Sequence, residues 1–197
     1  QGVSSAASDV YKRQMYLYDK FFGDYDKTIA QILLNAEDIG QEEKKENLTN
    51  TFNALLEMGI IPVVNENDSV SYTEIESEER LFGDNDMLSA VVAVLCKAKR
   101  LIILSDINGF YDSDPRLCPN AKLIEKILQI DENVYSLAGG AGSRRGTGGM
   151  KTKLQAAELA TANGADTVIT NGKHPESIYE IIKGGKIGTL FVGKAEQ

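Results

Sequence analysis

A glycine-rich segment followed by a lysine is the part of the sequence best suited to bind an anion. Six glycines lie between Gly139 and Gly149, and the residues from Met150 onward repeat apolar side chains at helical spacing. Glycine lets backbone N–H groups approach an anion, and a helix start adds unpaired donors with partial positive charge. Lys153 supplies a mobile cation that can bridge phosphates. A flexible turn is the alternative, but the combination predicts a phosphate-binding loop before a helix that begins near Met150.

Two clusters of amide and carboxylate side chains precede this segment. Asn65-Glu66-Asn67-Asp68 follows an apolar run directly, and Gly83-Asp84-Asn85-Asp86 stands before an apolar helical repeat. Helix capping by Asp84 or Asn85 is one explanation of the second cluster, since both residue types are good N-caps. Capping needs only one of these residues, so two carboxylates around an amide also indicate a ligand site.

Polar residues also follow two other predicted strands. Ser105-Asp106 comes after an apolar run that ends at Leu104, and Asn171-Gly172 comes after one that ends at Thr170. In open parallel sheets, ligands bind beyond the carboxyl ends of the strands. Loops often begin with polar residues for other reasons. The pattern nevertheless predicts that the polar residues after Val64, Leu104 and Thr170 lie along one edge of a single sheet.

The elements that must position these residues alternate between apolar strands and amphipathic helices. Such an order favours a single α/β domain with a largely parallel sheet covered on both faces. The predicted strands cover 28–34, 60–64, 101–104, 166–170 and 187–191, and the predicted helices cover 41–58, 88–95, 176–183 and a segment from Met150. The stretch from 105 to 149 is predicted to be a long loop. Gln1–Gln14 shows neither period, so we interpret it as a non-native leader outside the domain, which would extend over 15–193.

Composition excludes several classes of protein. The formal net charge of −8 argues against a nucleic-acid surface and weakens the case for an anionic membrane surface. No apolar run approaches the roughly 18 residues of a membrane span, and no signal peptide is evident, which indicates a cytoplasmic protein. Cys96 and Cys118 are too few for a disulfide framework or a metal site. A histidine-dependent triad is not indicated, because His174 is the single histidine of the sequence. The glycines match neither the P-loop motif nor the dinucleotide-binding motif.

Taken together and in order, the motifs resemble those of the amino acid kinase family. The similarity extends from about Tyr16 to Phe191 and is closest to the members that phosphorylate the γ-carboxylate of glutamate. The motifs that carry it are Asn65-Glu66-Asn67-Asp68, Phe82-Gly83-Asp84-Asn85-Asp86, Leu104-Ser105-Asp106 with Asp114-Pro115-Arg116, and Gly146-Thr147-Gly148-Gly149-Met150 through Lys153. The fold implied is a three-layer α/β/α domain with a mainly parallel central sheet.

The resemblance implies roles for individual residues. Lys153 and Asp86 would be catalytic, with Asp86 orienting lysine, and the substrate glutamate would contact the set Asp68, Asn85 and Asn67. The ATP-binding set would be Ser105, Asp106, Thr147, Gly148, Gly149, Met150, Lys151, Thr152 and Lys153. Mg²⁺ would be held mainly by the nucleotide phosphates, with no metal site of the protein's own. Implied partners are L-glutamate, ATP, proline as a feedback inhibitor, glutamyl phosphate reductase as a functional link, and a second copy in a dimer or tetramer.

The sequence also departs from the family pattern. The opening strand with its lysine and first phosphate loop would be expected before residue 15 and has no match there, and we expect no RNA-binding-like domain after residue 193. We therefore expect little phosphotransfer from this chain by itself. The acidic segment Ser69–Gly83 is longer than is usual in the family and is interpreted as a solvated loop. Two alternatives stay open: a family member with aspartate or UMP as acceptor, and a non-catalytic chain that binds glutamate or proline.

Overall fold

The computed structural model describes the chain in four stretches. They are residues 2–35, 39–67, 85–138 and 147–194; for 2–12 and 147–148 only the backbone is described. The chain divides into two compact units, Gln1–Phe82 and Gly83–Gln197, each treated by itself below. Asp68, the acidic segment Ser69–Gly83 and the glycines from Gly139 to Gly146 lie outside the described residues.

The first unit contains two paired parallel strands that are connected by a helix. Its elements are α1 (Gly2–Gly23), β1 (Ile29–Leu34), α2 (Glu42–Glu57) and β2 (Ile61–Glu66). The strands pair in parallel from Ile29 opposite Ile61 to Leu34 opposite Glu66. Of the apolar residues that the sequence places on one face of α2, Phe52 is fully buried, Leu48 and Leu55 are half-buried, and Leu56 is exposed.

The helix α1 corrects the expectation for the first residues. Gln1–Gln14 was expected to carry no helical period, whereas Gly2–Gly23 forms one continuous helix of 22 residues. Most of its residues are acceptable helix formers and no proline interrupts it, so backbone propensity permits a helix. The assignment of Gln1–Gln14 to a non-native leader stays a prediction.

The second unit is built on a four-stranded sheet. Its strands are β3 (Arg100–Ser105), β4 (Lys126–Ile127), β5 (Asp166–Asn171) and β6 (Thr189–Phe191), and its helices are α3 (Asn85–Leu95), α4 (Glu132–Ala138), α5 (Thr147–Ala162) and α6 (Ser177–Ile182). The spatial order is β3-β5-β6-β4. The pairs β3–β5 and β4–β6 are parallel, and β5–β6 is antiparallel. The predicted α/β class with mainly parallel strand pairing is confirmed.

The core of the second unit explains how the helices reach the sheet so closely. Four consecutive residues of β5, from Thr167 to Thr170, are buried, as expected for a strand covered on both faces. Small side chains allow α3 and α5 to pack against each other and against the strands; those fully buried are Ala90, Ala156, Ala157 and Ala160. The packing fixes the helix starts, which carry the candidate site.

Two short elements lie where the sequence predicted only a loop. The strand β4 and the helix α4 interrupt the stretch from 105 to 149. A two-residue strand is too short to show a period, and α4 has no buried residue, so neither produces an apolar pattern. No helix among the described residues is both long and apolar enough to cross a bilayer.

Candidate active site

The chain topology brings two helix starts and two strand ends to one edge of the second unit. Helix α3 leads to β3 through four residues, Cys96–Lys99, and α5 leads to β5 through Asn163–Ala165. Each helix packs on its strand and runs back along it, so the starts of α3 and α5 lie at the edge where β3 and β5 end. Ser105 and Asn171 are register partners at that edge, as predicted, whereas β2, whose end was predicted at the same edge, belongs to the separate two-stranded sheet.

An ion pair joins the two helix starts. The Nζ atom of Lys153, on α5, lies 2.8 Å from Oδ2 of Asp86, in the first turn of α3. Both side chains are only 16% exposed, so water screens the pair less than it screens a surface salt bridge. Sequence motifs 67 residues apart therefore meet in one charged contact, and the carboxylate fixes the direction of the ammonium group.

Two hydroxyl groups support this pair. The hydroxyl oxygen of Thr152 lies 3.4 Å from Oδ2 of Asp86 and 3.1 Å from the carbonyl oxygen of Gly149, and its single proton is shared between these two acceptors. Ser89 donates to the backbone carbonyl of Asp86 at 2.6 Å. Thr152 was predicted only as part of the ATP-binding set, and its contact with Asp86 has no signal in the sequence. These hydroxyl groups restrict the positions of the Asp86 carboxylate and of the Asp86 backbone carbonyl.

Helix α5 begins three residues earlier than the sequence predicted. Its first residue is Thr147 rather than Met150, so Gly148 and Gly149 are helical even though glycine disfavours helices. Lys153 consequently lies in the second turn and not near the first. Because helical side chains tilt toward the N-terminus, a long lysine at this position still extends toward the start of the helix. Met150 and Thr152 are half-buried, while Lys151 is exposed.

The strand end at β3 carries a second, solvent-exposed group of charges. Ser105 donates to Oδ1 of Asp106 at 3.2 Å, and the guanidinium of Arg116 lies 3.0 Å from Oδ2 of the same carboxylate. The backbone N–H of Arg116 donates to Asp114 at 2.9 Å, which fixes the turn that presents the guanidinium. Asp106 and Arg116 are 76% and 64% exposed, so their ion pair adds little stability. It leaves a cation and a carboxylate accessible to a ligand.

The loop after β3 is anchored to the last strand by Thr189. Its hydroxyl accepts a hydrogen bond from the backbone N–H of Phe110 at 2.8 Å and donates to the carbonyl of Ile124 at 2.6 Å. At Gly109, φ is +152°, and a Cβ atom there would lie 2.7 Å from the Thr189 hydroxyl. Only glycine fits this approach. The anchor holds the chain just beyond Asp106.

The predicted glutamate contacts are described only in part. Asn85, the first residue of α3, is exposed, and Asn67 is half-buried after β2, where its N–H donates to the Leu34 carbonyl at 2.9 Å. Asn85 belongs to the second unit and Asn67 to the first. Among the described stretches, no group of three or more histidine, cysteine, aspartate or glutamate side chains is arranged to hold a metal ion.

The arrangement is suited to neutralising a polyanion. A helix start presents backbone N–H groups, and a lysine held by an aspartate supplies a fixed positive charge beside them. Neither group is a nucleophile or a proton shuttle with a histidine partner. Positioning and charge stabilisation are therefore the chemistry that this edge of the sheet can perform.

The sequence of this chain is similar to those of known kinases. Residues 6–171 match the model of the amino acid kinase family. The chain is 52% identical over 180 residues to a glutamate 5-kinase of Clostridium perfringens, covering 91% of this chain and 66% of that protein. It is 46% identical over 194 residues to a glutamate 5-kinase of Listeria welshimeri, covering 98% of this chain and 70% of that protein. The chain thus spans about two thirds of the length of these curated relatives.

Solved structures share the fold at low sequence identity. An isopentenyl phosphate kinase of T. acidophilum, in a product complex, matches with a TM-score of 0.55 and 20% identity over 95% of this chain and 71% of that one. A UMP kinase of Ureaplasma parvum matches with a TM-score of 0.51 and 16% identity over 84% of this chain and 60% of that one. At such identities the match concerns the fold alone. The family model covers most of the chain, and the chain belongs to the amino acid kinase family.

Proposed function

We propose that this chain carries the nucleotide-binding part and some of the substrate-binding part of a glutamate 5-kinase. The reaction is transfer of the γ-phosphoryl group of ATP to the γ-carboxylate of L-glutamate, which gives γ-glutamyl phosphate in the first step of proline biosynthesis. Identity near 50% to relatives named for this activity supports the substrate. The observation that carries the proposal is the ion pair between Lys153 and Asp86 at the start of α5.

The chemistry explains why a fixed cation matters more than a base. A glutamate γ-carboxyl group ordinarily has a pKa of about 4.3, so the acceptor is ionised at neutral pH and needs no proton abstraction. The barrier is the approach of one anion to another. Lys153 would neutralise charge on the transferring phosphoryl group, Asp86 would keep the ammonium in place, and Mg²⁺ would arrive as MgATP. We propose no direct contact of Asp86 with the phosphates.

The remaining roles follow from the side-chain chemistry. Backbone N–H groups from Thr147 to Gly149 would cradle the phosphates, with Met150, Lys151 and Thr152 completing that set. Ser105 and Asp106 would bind the nucleotide from the end of β3. Asp68 suits the α-ammonium of glutamate, and Asn67 and Asn85 can donate to its carboxylates without adding charge repulsion.

Further proposals concern regulation and context. We propose proline as a feedback inhibitor, glutamyl phosphate reductase as the consumer of the product, a homodimer or homotetramer as the working assembly, and the cytoplasm as its location. Because the chain spans about two thirds of its relatives, we also expect its own phosphotransfer to be far weaker than theirs.

A hydroxamate assay tests the proposed function. Glutamate, MgATP and hydroxylamine are supplied to the chain alone and to a chimera. The chimera adds the third of the Clostridium perfringens protein that has no counterpart in this chain. We expect γ-glutamyl hydroxamate from the chimera, its loss in Lys153→Met, and little product from the chain alone. The control Lys122→Met removes an exposed lysine remote in sequence from every predicted site residue.

Three results would count against the proposal. Preference of the chimera for aspartate or UMP would assign a different acceptor. Binding of glutamate without any phosphotransfer would favour a regulatory chain. Turnover by the chain alone at the rate of the intact relative would contradict the expected weakness of this chain.

A further inference from the structure

Asn171 is the polar strand end to which the proposed reaction gives no role. It is the last residue of β5 and the register partner of Ser105, the last residue of β3. Parallel strands in register place these two residues side by side at the edge where the nucleotide is proposed to bind. A half-buried asparagine therefore lies beside Ser105, and its contacts indicate its role there.

The side chain of Asn171 connects the loops that leave the two strands. Its Nδ2 donates to Oδ1 of Asn108 at 2.8 Å, and its Oδ1 accepts from the backbone N–H of Lys173 at 2.9 Å. The N–H of Lys173 can only donate, so the amide orientation is determined and Nδ2 must face Asn108. One side chain therefore links the loop after β3 to the loop after β5.

A backbone contact reinforces the same connection. The N–H of Gly172 donates to the carbonyl oxygen of Ser105 at 2.8 Å. A Cβ atom at Gly172 would come within 3.3 Å of Cβ of Leu104, so the backbones approach more closely than a larger residue would allow easily. The loop after β3 is thus tied to β5 at both Ser105 and Asn108.

The loop that carries Asp106 has further contacts in addition to those with β5. Beyond Asn108, the loop is anchored by Gly109 and by the hydrogen bond of Phe110 with Thr189. On the solvent side, Asp106 has an ion pair with Arg116 that is largely exposed and contributes little. The amide of Asn171 is the side-chain contact that fixes the middle of the loop from the adjacent strand.

We propose that Asn171 is a positioning residue for the nucleotide, acting through Asn108 on the conformation of the loop at Ser105 and Asp106. The inference rests on the proposed nucleotide role of those two residues. Loss of the amide contact leaves the loop free to adopt other conformations, and the population competent to bind MgATP falls. A single hydrogen bond of this kind corresponds to a loss of affinity of about three- to tenfold.

The test is the affinity of the chain for MgATP, measured by isothermal titration. We expect Asn171→Ala and Asn108→Ala each to weaken binding by about three- to tenfold. The double variant should be no weaker than Asn171→Ala, because that variant already removes the contact with Asn108. The matched control is Asn163→Ala, since Asn163 is an exposed asparagine with one side-chain hydrogen bond, to Leu159 at 2.8 Å, just before the opposite end of β5.

A spectroscopic signal separates positioning from a general effect on folding. In ¹⁵N-labelled wild-type chain, the side-chain amide signal of Asn171 should shift on addition of MgATP, and that of Asn163 should not. The melting temperatures of both variants are measured alongside, and the control should leave the MgATP affinity unchanged. Equal affinity in wild type and Asn171→Ala, or equal losses in Asn171→Ala and the control, would overturn this inference alone. Absence of MgATP binding by the wild-type chain would overturn it together with the proposed nucleotide site.

Discussion

The contact between Asp86 and Lys153 can be weighed by a double-mutant cycle. The Nζ–Oδ2 distance is 2.8 Å and both side chains are 16% exposed. Exposed ion pairs contribute about 0.2–1 kcal/mol, whereas removing one partner of a fully buried pair costs about 3–5 kcal/mol. A pair that is mostly but not fully buried lies between these limits. We therefore expect a coupling free energy of about 1–3 kcal/mol.

The cycle compares wild type, Asp86→Asn, Lys153→Met and the double variant. Lys153→Met keeps most of the side-chain volume and removes the charge, so the largely desolvated carboxylate of Asp86 loses its lysine partner. The free energy of unfolding comes from urea titration followed by circular dichroism. Hydrogen exchange then locates the loss, which should fall on the amides at the starts of α3 and α5.

The control is Lys151→Met, which removes an exposed lysine two residues away on the same helix. Exposed substitutions of this kind change stability by less than about 0.5 kcal/mol. A coupling free energy below about 0.5 kcal/mol between Asp86 and Lys153 would show that the pair is not the fixed, poorly solvated contact described above. In that case Asp86 would not set the direction of the ammonium group.

Two further predictions concern buried groups elsewhere in the second unit. Thr189→Val should lower the free energy of unfolding by about 2–4 kcal/mol, because the N–H of Phe110 and the carbonyl of Ile124 lose their buried partner. Thermal melting measures this loss, and Thr189→Ser is the control that keeps the hydroxyl. Equal destabilisation by both variants would contradict the prediction. Burial raises the pKa of the Cys96 thiol, while Cys118 is exposed. Iodoacetamide at mildly alkaline pH should therefore alkylate Cys118 first. Equal alkylation rates of the two cysteines, measured by mass spectrometry, would contradict this prediction.

The sequence predicted best where an element has a strong apolar period. The strand from Asp166 to Thr170 and the helix over 41–58 were expected within a residue or two of their observed ends. The helix Gly2–Gly23 was missed because Gln1–Gln14 was interpreted as a leader outside the domain, although the apolar residues of this helix repeat about as strongly as those of α2. The start of α5 was placed too late because glycines discourage a helix locally, whereas the packing of its buried alanines on the core compensates.

The sequence named the residues of the candidate site but not the contacts between them. Strand ends and glycines indicated one polar edge, and the family motifs named Asp86 and Lys153. The distance between them depends on how α3 and α5 pack, which no local pattern encodes. The same holds for the amide contact between Asn171 and Asn108, which joins loops 63 residues apart. Long-range side-chain contacts follow from the tertiary structure, so sequence reasoning stops at the elements that bring them together.

The start of α3 directs two adjacent side chains to different surroundings. Consecutive helical side chains do not face each other, since each residue is rotated by about 100° from the last. Asn85 is therefore exposed, while Asp86 is turned toward α5 and Lys153. If Asn85 binds glutamate as proposed, a single helical turn fixes the acceptor and, through Asp86, the cation for the phosphoryl group. A rigid backbone at this turn, supported by Ser89, then sets the separation of the two reacting anions, which side-chain flexibility alone could not do.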